Sequence, residues 1–417
     1  MKLKLIKAIR WTEKYTKTDM IYAFKNSFWL LLGQALNFFL ALGLLWAFAN
    51  YLSKEIYGEY RFLITSVNLL GLSTLSGINT SIIKSVSRNF RGTIYLALYT
   101  KIRWGLLGSL SSVLISIYYY MNGNSSLGLS FLMISFFVPI LETFAIYTGY
   151  LQGLKNFKLQ AFLYSLQRII VVLITIIAIL FSGNLFIVML TYLITTSLMQ
   201  WLGYFITLTK YPPNLNIDSE AISFGKYLSL IGLARIGAQG LDKIALWYFA
   251  GSVQVAMYVI SIALPGEIVS AFGQINNVAF PKMAEKEHFN LRLSLLKKYF
   301  TFFLLLIPIV IIYILAVPLV FKLMFPQYLD SVFFTQIASL LILFVPNGLL
   351  NHYLIITNHK RGLYTINFSE PLITLLLYAL LIPFLGVIGA IFTLILKNVI
   401  NTIILLYFFI THKIENF

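Results

Sequence analysis

Apolar runs of about twenty residues recur from one end of the chain to the other, and they limit the fold more than any other feature. A helix of that length crosses the ~30 Å hydrocarbon core of a bilayer, and about twelve such runs are present. Composition agrees, because 59% of the 417 residues are hydrophobic and 11% are charged, whereas soluble domains have about 25% charged residues. The sequence therefore predicts an all-α integral membrane protein with about 12 transmembrane helices.

Basic residues mark one side of the predicted membrane. The chain has 31 Lys and Arg against 14 Asp and Glu, a formal net charge of +17. With the amino terminus in the cytoplasm, about 24 of the 31 fall on the cytoplasmic side, as the positive-inside rule requires. Both termini are then cytoplasmic. No polar stretch is long enough for a basic nucleic-acid-binding domain, so the charge is ascribed to topology and to membrane lipids.

The predicted spans organise the chain into bundles and connections. These are a cytoplasmic amino-terminal arm at 1–26, a six-helix bundle at 27–209, a cytoplasmic linker at 210–223, a second six-helix bundle at 224–410 and a cytoplasmic tail at 411–417. The arm allows either an interfacial helix or a plain topogenic charge cluster. Outer connections are too short for a catalytic domain, and cysteine is absent, so no enzyme, metal site or cofactor is predicted.

Two segments about 200 residues apart share a pattern. Ala49 to Tyr60 (ANYLSKEIYGEY) and Trp247 to Tyr258 (WYFAGSVQVAMY) each close an apolar run, turn on the outer side and re-enter on a tyrosine. Long basic inner segments open at Lys84 and Lys282 with the same spacing. Because each half has an even number of spans, six, both halves have the same orientation in the membrane. The pattern therefore predicts two bundles related by a pseudo-two-fold axis along the membrane normal, with a central cavity.

Charged residues also fall inside the predicted spans, where each costs about 2.5 to 3.5 kcal/mol unless it faces a cavity or a partner. The basic ones are Arg168, Arg235, Lys243 and Lys397. The acidic ones are Glu142, Asp242, Glu267 and Glu370. The basic residues are candidates for binding a substrate phosphate. The acids are candidates for ion coupling, three of them beside a proline that frees a backbone carbonyl, and internal salt bridges are the alternative.

Polar side chains extend these candidate sites. One helical face of the predicted seventh span carries Arg235, Gln239, Asp242 and Lys243. This face is expected to line an aqueous cavity, and a salt bridge between its Asp and Lys is the alternative. In the first half, the amides of Gln34 and Asn37 suit sugar hydroxyls, with interhelical hydrogen bonds as the alternative. Arg61 is expected at a span end, near the membrane interface.

Three motifs carry a family resemblance. The turn Ser53-Lys54-Glu55-Ile56-Tyr57-Gly58-Glu59-Tyr60 resembles the S-P-E-x-Y-G-x-Y turn of polysaccharide-export flippases, with lysine in place of the usual proline. Leu241-Asp242-Lys243-Ile244, followed by Gly251 and Tyr258, resembles their seventh-span signature, although Ala256 stands where glycine is common. Met324-Phe325-Pro326-Gln327-Tyr328 is similar to the outer motif before their tenth span. The chain thus resembles the oligosaccharide-lipid branch of the multidrug/oligosaccharidyl-lipid/polysaccharide exporter superfamily, which includes Wzx-type O-antigen flippases.

The resemblance implies a flippase of lipopolysaccharide biosynthesis that moves an undecaprenyl-diphosphate-linked oligosaccharide repeat unit across the bacterial inner membrane by alternating access. It also implies a coupling ion, proton or sodium, and contacts with the polymerase and other polysaccharide-assembly proteins. A drug/cation antiporter of the same superfamily, with acids forming the site, is the alternative. A membrane glycan polymerase or ligase would need a sizeable outer loop, which this sequence lacks.

Overall fold

The computed structural model describes residues 20–238, 240–284 and 288–411. Every regular element in this part of the chain is a helix, which confirms the all-α membrane fold. Seven of these helices are long and apolar enough to cross a membrane, or eight if the bent pair Lys54–Thr74 and Gly77–Ser87 is one span. The count of about twelve and the pseudo-two-fold axis stay predictions. Most of the arm at 1–26 and of the tail at 411–417 lies outside the described residues.

The described helices follow one another with short connections. In chain order they are α1 (Met20–Tyr51), α2 (Lys54–Gly71), α3 (Gly77–Ser87), α4 (Thr93–Met121), α5 (Ser125–Phe144), α6 (Tyr147–Gly153), α7 (Phe157–Ser182), α8 (Leu185–Lys210), α9 (Glu220–Ala238), α10 (Leu241–Ala284), α11 (His288–Met324), α12 (Val332–Ala338), α13 (Asn347–Ile356) and α14 (Lys360–Thr411). Short 3₁₀ turns lie at Leu72–Thr74, Pro326–Ser331 and Ser339–Phe344. With 44 and 52 residues, α10 and α14 are longer than one crossing requires.

Both of these long helices reverse direction at a glycine. Gly251 in α10 has a φ of 84° and Gly386 in α14 has a φ of 53°, a left-handed conformation that only glycine adopts at little cost. The reversal in α10 returns Tyr258 to Asp242, and its hydroxyl donates to the carboxylate Oδ2 at 2.8 Å. In α14 the reversal at Gly386 brings Gly389 against the backbone of the part of the helix that precedes the reversal. The turn predicted at Gly251 is therefore confirmed.

Three predicted spans are interrupted along their length. The break between α2 and α3 includes the left-handed Leu75, with a φ of 61°, and bends the pair by 49°. The break between α5 and α6 and the break before α13, which contains Pro346, lie about 200 residues apart, the spacing of the sequence repeat. Interrupted helices leave backbone groups available near a substrate or ion. These breaks are therefore candidate positions for a binding site.

The chain packs as two compact units. The amino-terminal unit takes Leu44–Val259 and Thr374–Ala390, and the carboxy-terminal unit takes Met1–Gly43, Ile260–Ile373 and Ile391–Phe417. The core of the amino-terminal unit includes Ile78, Ile82, Ile94 and Tyr150. The core of the carboxy-terminal unit includes Leu350, Tyr353, Leu405 and Phe409. The predicted bundle boundaries at 27–209 and 224–410 stay a prediction.

The predicted cytoplasmic linker at 210–223 is held against the amino-terminal unit. The observed linker is shorter than the predicted one and consists of the residues between α8 and α9, because α8 ends at Lys210 and α9 begins at Glu220. Asn214 accepts hydrogen bonds from the backbone N–H groups of Arg91 and Gly92, at 3.0 and 3.2 Å. Its amide donates to the carbonyl of Asn89 at 2.7 Å. This side chain therefore holds the linker against the connection between α3 and α4, together with the carbonyl of Asn216, which accepts from the N–H of Gly92 at 3.0 Å.

The long basic inner loop predicted from Lys84 to Arg103 is wrong in extent. The connection between α3 and α4 is only 88–92, because α3 continues to Ser87 and α4 begins at Thr93. Lys101, which the prediction placed in that loop, lies about 12 Å inside α4 at 1.5 Å per residue. Its side chain is 0% exposed. A lysine counted as a topological marker is therefore a buried charge.

Candidate substrate-binding site

Two arginines from different helices converge on one tyrosine of the amino-terminal unit. Arg61 lies in α2 and Arg168 near the middle of α7, and the charges of both act on Tyr192 of α8. The ring of Tyr192 packs edge-on against Tyr60, with ring centroids 6.3 Å apart. The three helices thus place two guanidinium groups within electrostatic range of one tyrosine inside the predicted spans.

Both guanidinium groups retain unpaired donors. Among the described residues, Nε of Arg61 and Nε of Arg168 are buried and have no hydrogen-bond partner. Leaving a buried donor unpaired costs about 1–3 kcal/mol, and more for a charged group. A guanidinium offers five N–H donors in a planar fork that matches carboxylate and phosphate oxygens. The pair therefore suits an anion with several oxygen atoms.

Arg61 is the member of this pair that sequence reasoning missed. Its predicted place at the start of a span is wrong, because α2 begins seven residues earlier, at Lys54. The side chain consequently lies about 10 Å along the helix and is half-buried. The polar segment Lys54-Glu55 obscured the helix start, although Ser53 caps it by accepting from the N–H of Ile56 at 3.3 Å. A serine followed by an acidic first turn was the available signal.

Glu142 of α5 lies near the end of α2, because its Cγ would be 3.2 Å from a Cβ on Gly71. Its charge acts on Tyr192 and also on Lys101. The exposed apolar face of α5 is formed by Leu129, Leu132, Phe136 and Ile140. Glu142 is exposed on a different face, one turn beyond the buried Val138. The carboxylate is therefore open to solvent on a side of α5 other than its apolar face.

Lys101 lies in a stripe of small buried residues on α4. The other members are Ala97, Gly105, Gly108, Ser112 and Ser116. They allow α4 to approach α5 closely, and the Ser112 hydroxyl donates to the carbonyl of Phe131 at 2.7 Å. Among the described residues, Nζ of Lys101 is buried without a hydrogen-bond partner. One lysine within a small-residue stripe at helical spacing was the sequence signal for this buried charge.

The predicted pair Asp242 and Lys243 forms a salt bridge. Nζ of Lys243 donates to both carboxylate oxygens of Asp242 at 3.0 Å, and Asp242 is 4% exposed. The hydroxyl of Tyr258 donates to the same carboxylate and is hydrogen-bonded to the hydroxyl of Tyr378 in α14. The salt bridge considered as the alternative to a binding role is therefore present, and it joins the two arms of α10 to α14.

Two further predicted site residues, Lys397 and Glu370, form an ion pair in the carboxy-terminal unit. Nζ of Lys397 donates to Oε1 of Glu370 at 3.4 Å, and their side chains are 24% and 40% exposed. Both residues belong to α14, on either side of its reversal at Gly386. At this exposure such a pair contributes at most about 1 kcal/mol to stability. Both charges thus remain accessible to solvent.

The remaining predicted site residues are only partly placed. Asn37 is half-buried in α1, and Glu267 is half-buried in α10 after the buried Pro265. Gln34 and Arg235 lie in α1 and α9, but their side chains are not described, and Gln239 lies outside the described residues. Over the part of the chain that the structure covers, no three His, Asp or Glu residues are grouped as metal ligands would be. The roles assigned to all these residues stay predictions.

Comparison with known families identifies the chain. A family model described as polysaccharide biosynthesis protein matches residues 23–287, well over half of the sequence. The chain therefore belongs to the polysaccharide biosynthesis protein family. No curated relative matches it by sequence alone.

Solved structures share the fold. The inward closed conformation of the lipid II flippase MurJ matches with a TM-score of 0.70 at 14% identity, covering 92% of this chain and 88% of that chain. An inward-facing multidrug resistance MATE family transporter gives 0.59 at 12% identity, covering 91% and 96%. A MOP superfamily transporter from Pyrococcus furiosus Vc1, noted for the reverse polarity of its binding pocket, gives 0.53 at 12% identity, covering 90% and 92%. The chain thus has the fold of a flippase and of transporters, rather than of enzymes.

Proposed function

We propose that this protein is a flippase that moves an undecaprenyl-diphosphate-linked oligosaccharide repeat unit across the bacterial inner membrane by alternating access. Its family ties the chain to polysaccharide biosynthesis, and its fold is shared with a lipid II flippase. The observation that carries the proposal is the convergence of Arg61 and Arg168 on Tyr192, with unpaired guanidinium donors. Such a pair offers the hydrogen-bond donors that the headgroup of a lipid carrier would need.

The chemistry of the substrate explains why the arginines are needed. A diphosphate diester carries a negative charge on each phosphate, and an unpaired charge costs tens of kcal/mol in a medium of low dielectric constant by Born estimates. Guanidinium groups replace lost water with paired hydrogen bonds to phosphate oxygens. The polyprenyl tail is apolar and stays in lipid. Only the headgroup therefore requires an enclosed polar path.

Energy for net movement is proposed to come from an ion gradient. The acids assigned to coupling are Glu142, Asp242, Glu267 and Glu370, with a proton or sodium as the ion. Of these, Glu142 is preferred, because its side chain is exposed and its charge reaches Tyr192, as the charges of Arg61 and Arg168 do. The glycan is proposed to be an O-antigen-type repeat unit, delivered to a polymerase and other assembly proteins on the outer side.

Complementation of a flippase-deficient strain tests the function. The native chain should restore surface glycan, and Arg168→Ala should abolish it while the protein remains in the membrane at normal levels. Arg103→Ala is the matched control, because Arg103 is a basic residue on an exposed face of α4. Normal glycan export by Arg168→Ala would remove this arginine from the site. Efflux of cationic drugs without glycan export would instead favour an antiporter.

A further inference from the structure

The second half of α8 has a polar side that is buried within the amino-terminal unit. Its exposed side is apolar and consists of Leu198, Trp201, Leu202, Phe205 and Ile206. On the other side, Gln200 and Thr207 are 9% and 0% exposed. Polar residues within membrane spans normally face the interior of a bundle, and these two follow that rule. The apolar side therefore faces lipid, and the polar side faces neighbouring helices.

The polar side of α8 packs where α5 meets α6. A Cβ on Gly203 would lie 2.8 Å from the ring of Tyr147, at the start of α6. Gln200 and Thr207 share a helical face with Gly203, and Thr143 of α5 shares one with Tyr147, four residues later. Thr143 is also fully buried. Thr143, Gln200 and Thr207 thus lie along one contact between α8 and the α5–α6 segment, here called the polar seam.

The polar atoms of this seam lack partners. Among the described residues, Oγ1 of Thr143, Oε1 of Gln200 and Oγ1 of Thr207 are buried and have no hydrogen bond. Helical geometry does not force this, because Thr209, two residues after Thr207, donates to the carbonyl of Phe205 at 3.0 Å. Folded proteins pair nearly all buried polar atoms with protein or water, and an unpaired one costs about 1–3 kcal/mol. Water is the partner that suits these uncharged atoms.

The contact between α4 and α5 is arranged in the opposite way. Three α4 hydroxyls, those of Ser109, Ser112 and Ser116, donate to carbonyl oxygens of α5 at 2.6, 2.7 and 2.6 Å. Separating α4 from α5 would break these hydrogen bonds, whereas separating α8 from α5 would let water reach atoms that are unpaired. The amino-terminal unit is therefore expected to part along the polar seam before it parts between α4 and α5.

One end of the polar seam is closed by Tyr211, which follows the last residue of α8. The hydroxyl of Tyr150 in α6 donates to the backbone carbonyl of Tyr211 at 2.9 Å. The amide of Asn156 donates to the hydroxyl of Tyr211 at 2.6 Å. Tyr211 also donates its N–H to the carbonyl of Thr207 at 2.9 Å. Tyr150, Asn156 and Tyr211, here called the latch, thus tie α6 to α8 beside the seam.

We propose that release of the latch opens the polar seam to water and that this water reaches Arg168. As α8 moves away from α5 and α6, water pairs with the atoms that are unpaired here. The seam leads to the arginine because the hydroxyl of Tyr147 donates to Oε1 of Gln167 at 3.4 Å, and Gln167 directly precedes Arg168 in α7. Water there would satisfy the unpaired Nε of Arg168 until a phosphate headgroup replaces it. Only this last step rests on the proposed function.

Single cysteines test whether water enters the seam, because the native chain has no cysteine. A thiol reacts with 2-aminoethyl methanethiosulfonate as its thiolate, which forms in water and not in lipid. Gln200→Cys and Thr207→Cys would be treated with this reagent in membranes, and the remaining thiols would be counted after denaturation with a polymer-linked maleimide. Both should react at least tenfold faster than two controls, the lipid-facing Leu198→Cys on α8 and Ser112→Cys between α4 and α5.

Loss of the latch should speed this labelling. Tyr150→Phe combined with Tyr211→Phe keeps both rings and removes the hydroxyl groups that form the two cross-helix hydrogen bonds. Added to Thr207→Cys, these two changes should raise its rate of modification about tenfold. Tyr99→Phe is the matched control, because Tyr99 is exposed on α4, and it should leave that rate unchanged.

Two results would overturn the inference. One is labelling of the seam cysteines as slow as that of the controls, and the other is an unchanged rate without the latch hydroxyls. Thr143→Cys replaces either seam variant that does not reach the membrane. Labelling needs no substrate, so failure of the proposed function is seen separately: a chain with a water-reactive seam that never restores glycan export would not be a flippase for that lipid.

Discussion

The carbonyl oxygen of Ser252 lies where a side chain on Gly58 would have to be, because a Cβ built on Gly58 would be 1.9 Å from that oxygen. The two residues belong to the two turn segments that share a sequence pattern about 200 residues apart. Beside them, the ring of Phe62 stacks on Trp247 with centroids 4.3 Å apart. The glycine of the family-like turn therefore allows the repeated turns to pack against each other within the amino-terminal unit.

Gly58→Ala is predicted to destabilise the protein by about 1–3 kcal/mol, because the added methyl group forces two backbones apart. Thermal unfolding of the purified protein in detergent measures the change. Gly273→Ala is the control, since a Cβ at Gly273 meets nothing within 4 Å and glycine inside a helix costs about 0.5–1 kcal/mol relative to alanine. Equal melting temperatures for Gly58→Ala and the native protein would show that the contact is not formed in solution.

Asp242→Asn is predicted to cost about 3–5 kcal/mol, because Lys243 would lose the charge of its partner and one of the two oxygens that accept from it at 3.0 Å within a mostly buried network. Denaturation of the detergent-solubilised protein gives this value. Adding Lys243→Met should recover part of the loss by removing the unpaired ammonium. Glu370→Gln breaks the more exposed pair with Lys397 and should change stability by less than about 1 kcal/mol. A stability change of less than about 1 kcal/mol for Asp242→Asn as well would contradict a buried salt bridge between Asp242 and Lys243.

Asn214→Ala is predicted to release the linker, since three hydrogen bonds to the connection between α3 and α4 depend on that side chain. Each buried polar group left unpaired costs about 1–3 kcal/mol. Hydrogen exchange at the amide of Arg91 should become faster, whereas the amide of Gly92 keeps the carbonyl of Asn216 as an acceptor. Asn216→Ala is the matched control, because Asn216 contacts Gly92 through its backbone carbonyl. Identical exchange in the two variants would refute this role of Asn214.

Hydrophobic periodicity was sufficient to predict the helical membrane fold and the turn at Gly251, because both follow directly from run length and from glycine. It did not reveal the breaks after Gly71 and Phe144. Leu75 and Ala145, which lie at those breaks, are apolar, so a hydropathy run does not register a change in backbone direction. Such breaks depend on tertiary packing that local sequence does not encode.

The candidate site was predicted in part. Arg168 and Glu142 stood out because charges inside an apolar run are costly, whereas Arg61 was assigned to the end of a run and Lys101 to an inner loop. Charge position along the chain cannot distinguish a snorkelling side chain from one that points inward. The helix starts at Lys54 and Thr93 determine how far inside a helix each side chain lies. Each start lies in a polar segment that hydropathy alone predicts to be a loop.

Transfer of a diphosphate-linked glycan lipid between bilayer leaflets is the most direct test of the central claim. The full-length protein would be reconstituted into vesicles with a fluorescent undecaprenyl-diphosphate sugar, and the fraction reached by a membrane-impermeant quencher would be followed over time. The native protein and Arg103→Ala should equilibrate the lipid between leaflets, and Arg61→Ala combined with Arg168→Ala should leave it at the protein-free rate. Transfer by the double variant at the native rate would contradict the proposal that this arginine pair carries the headgroup.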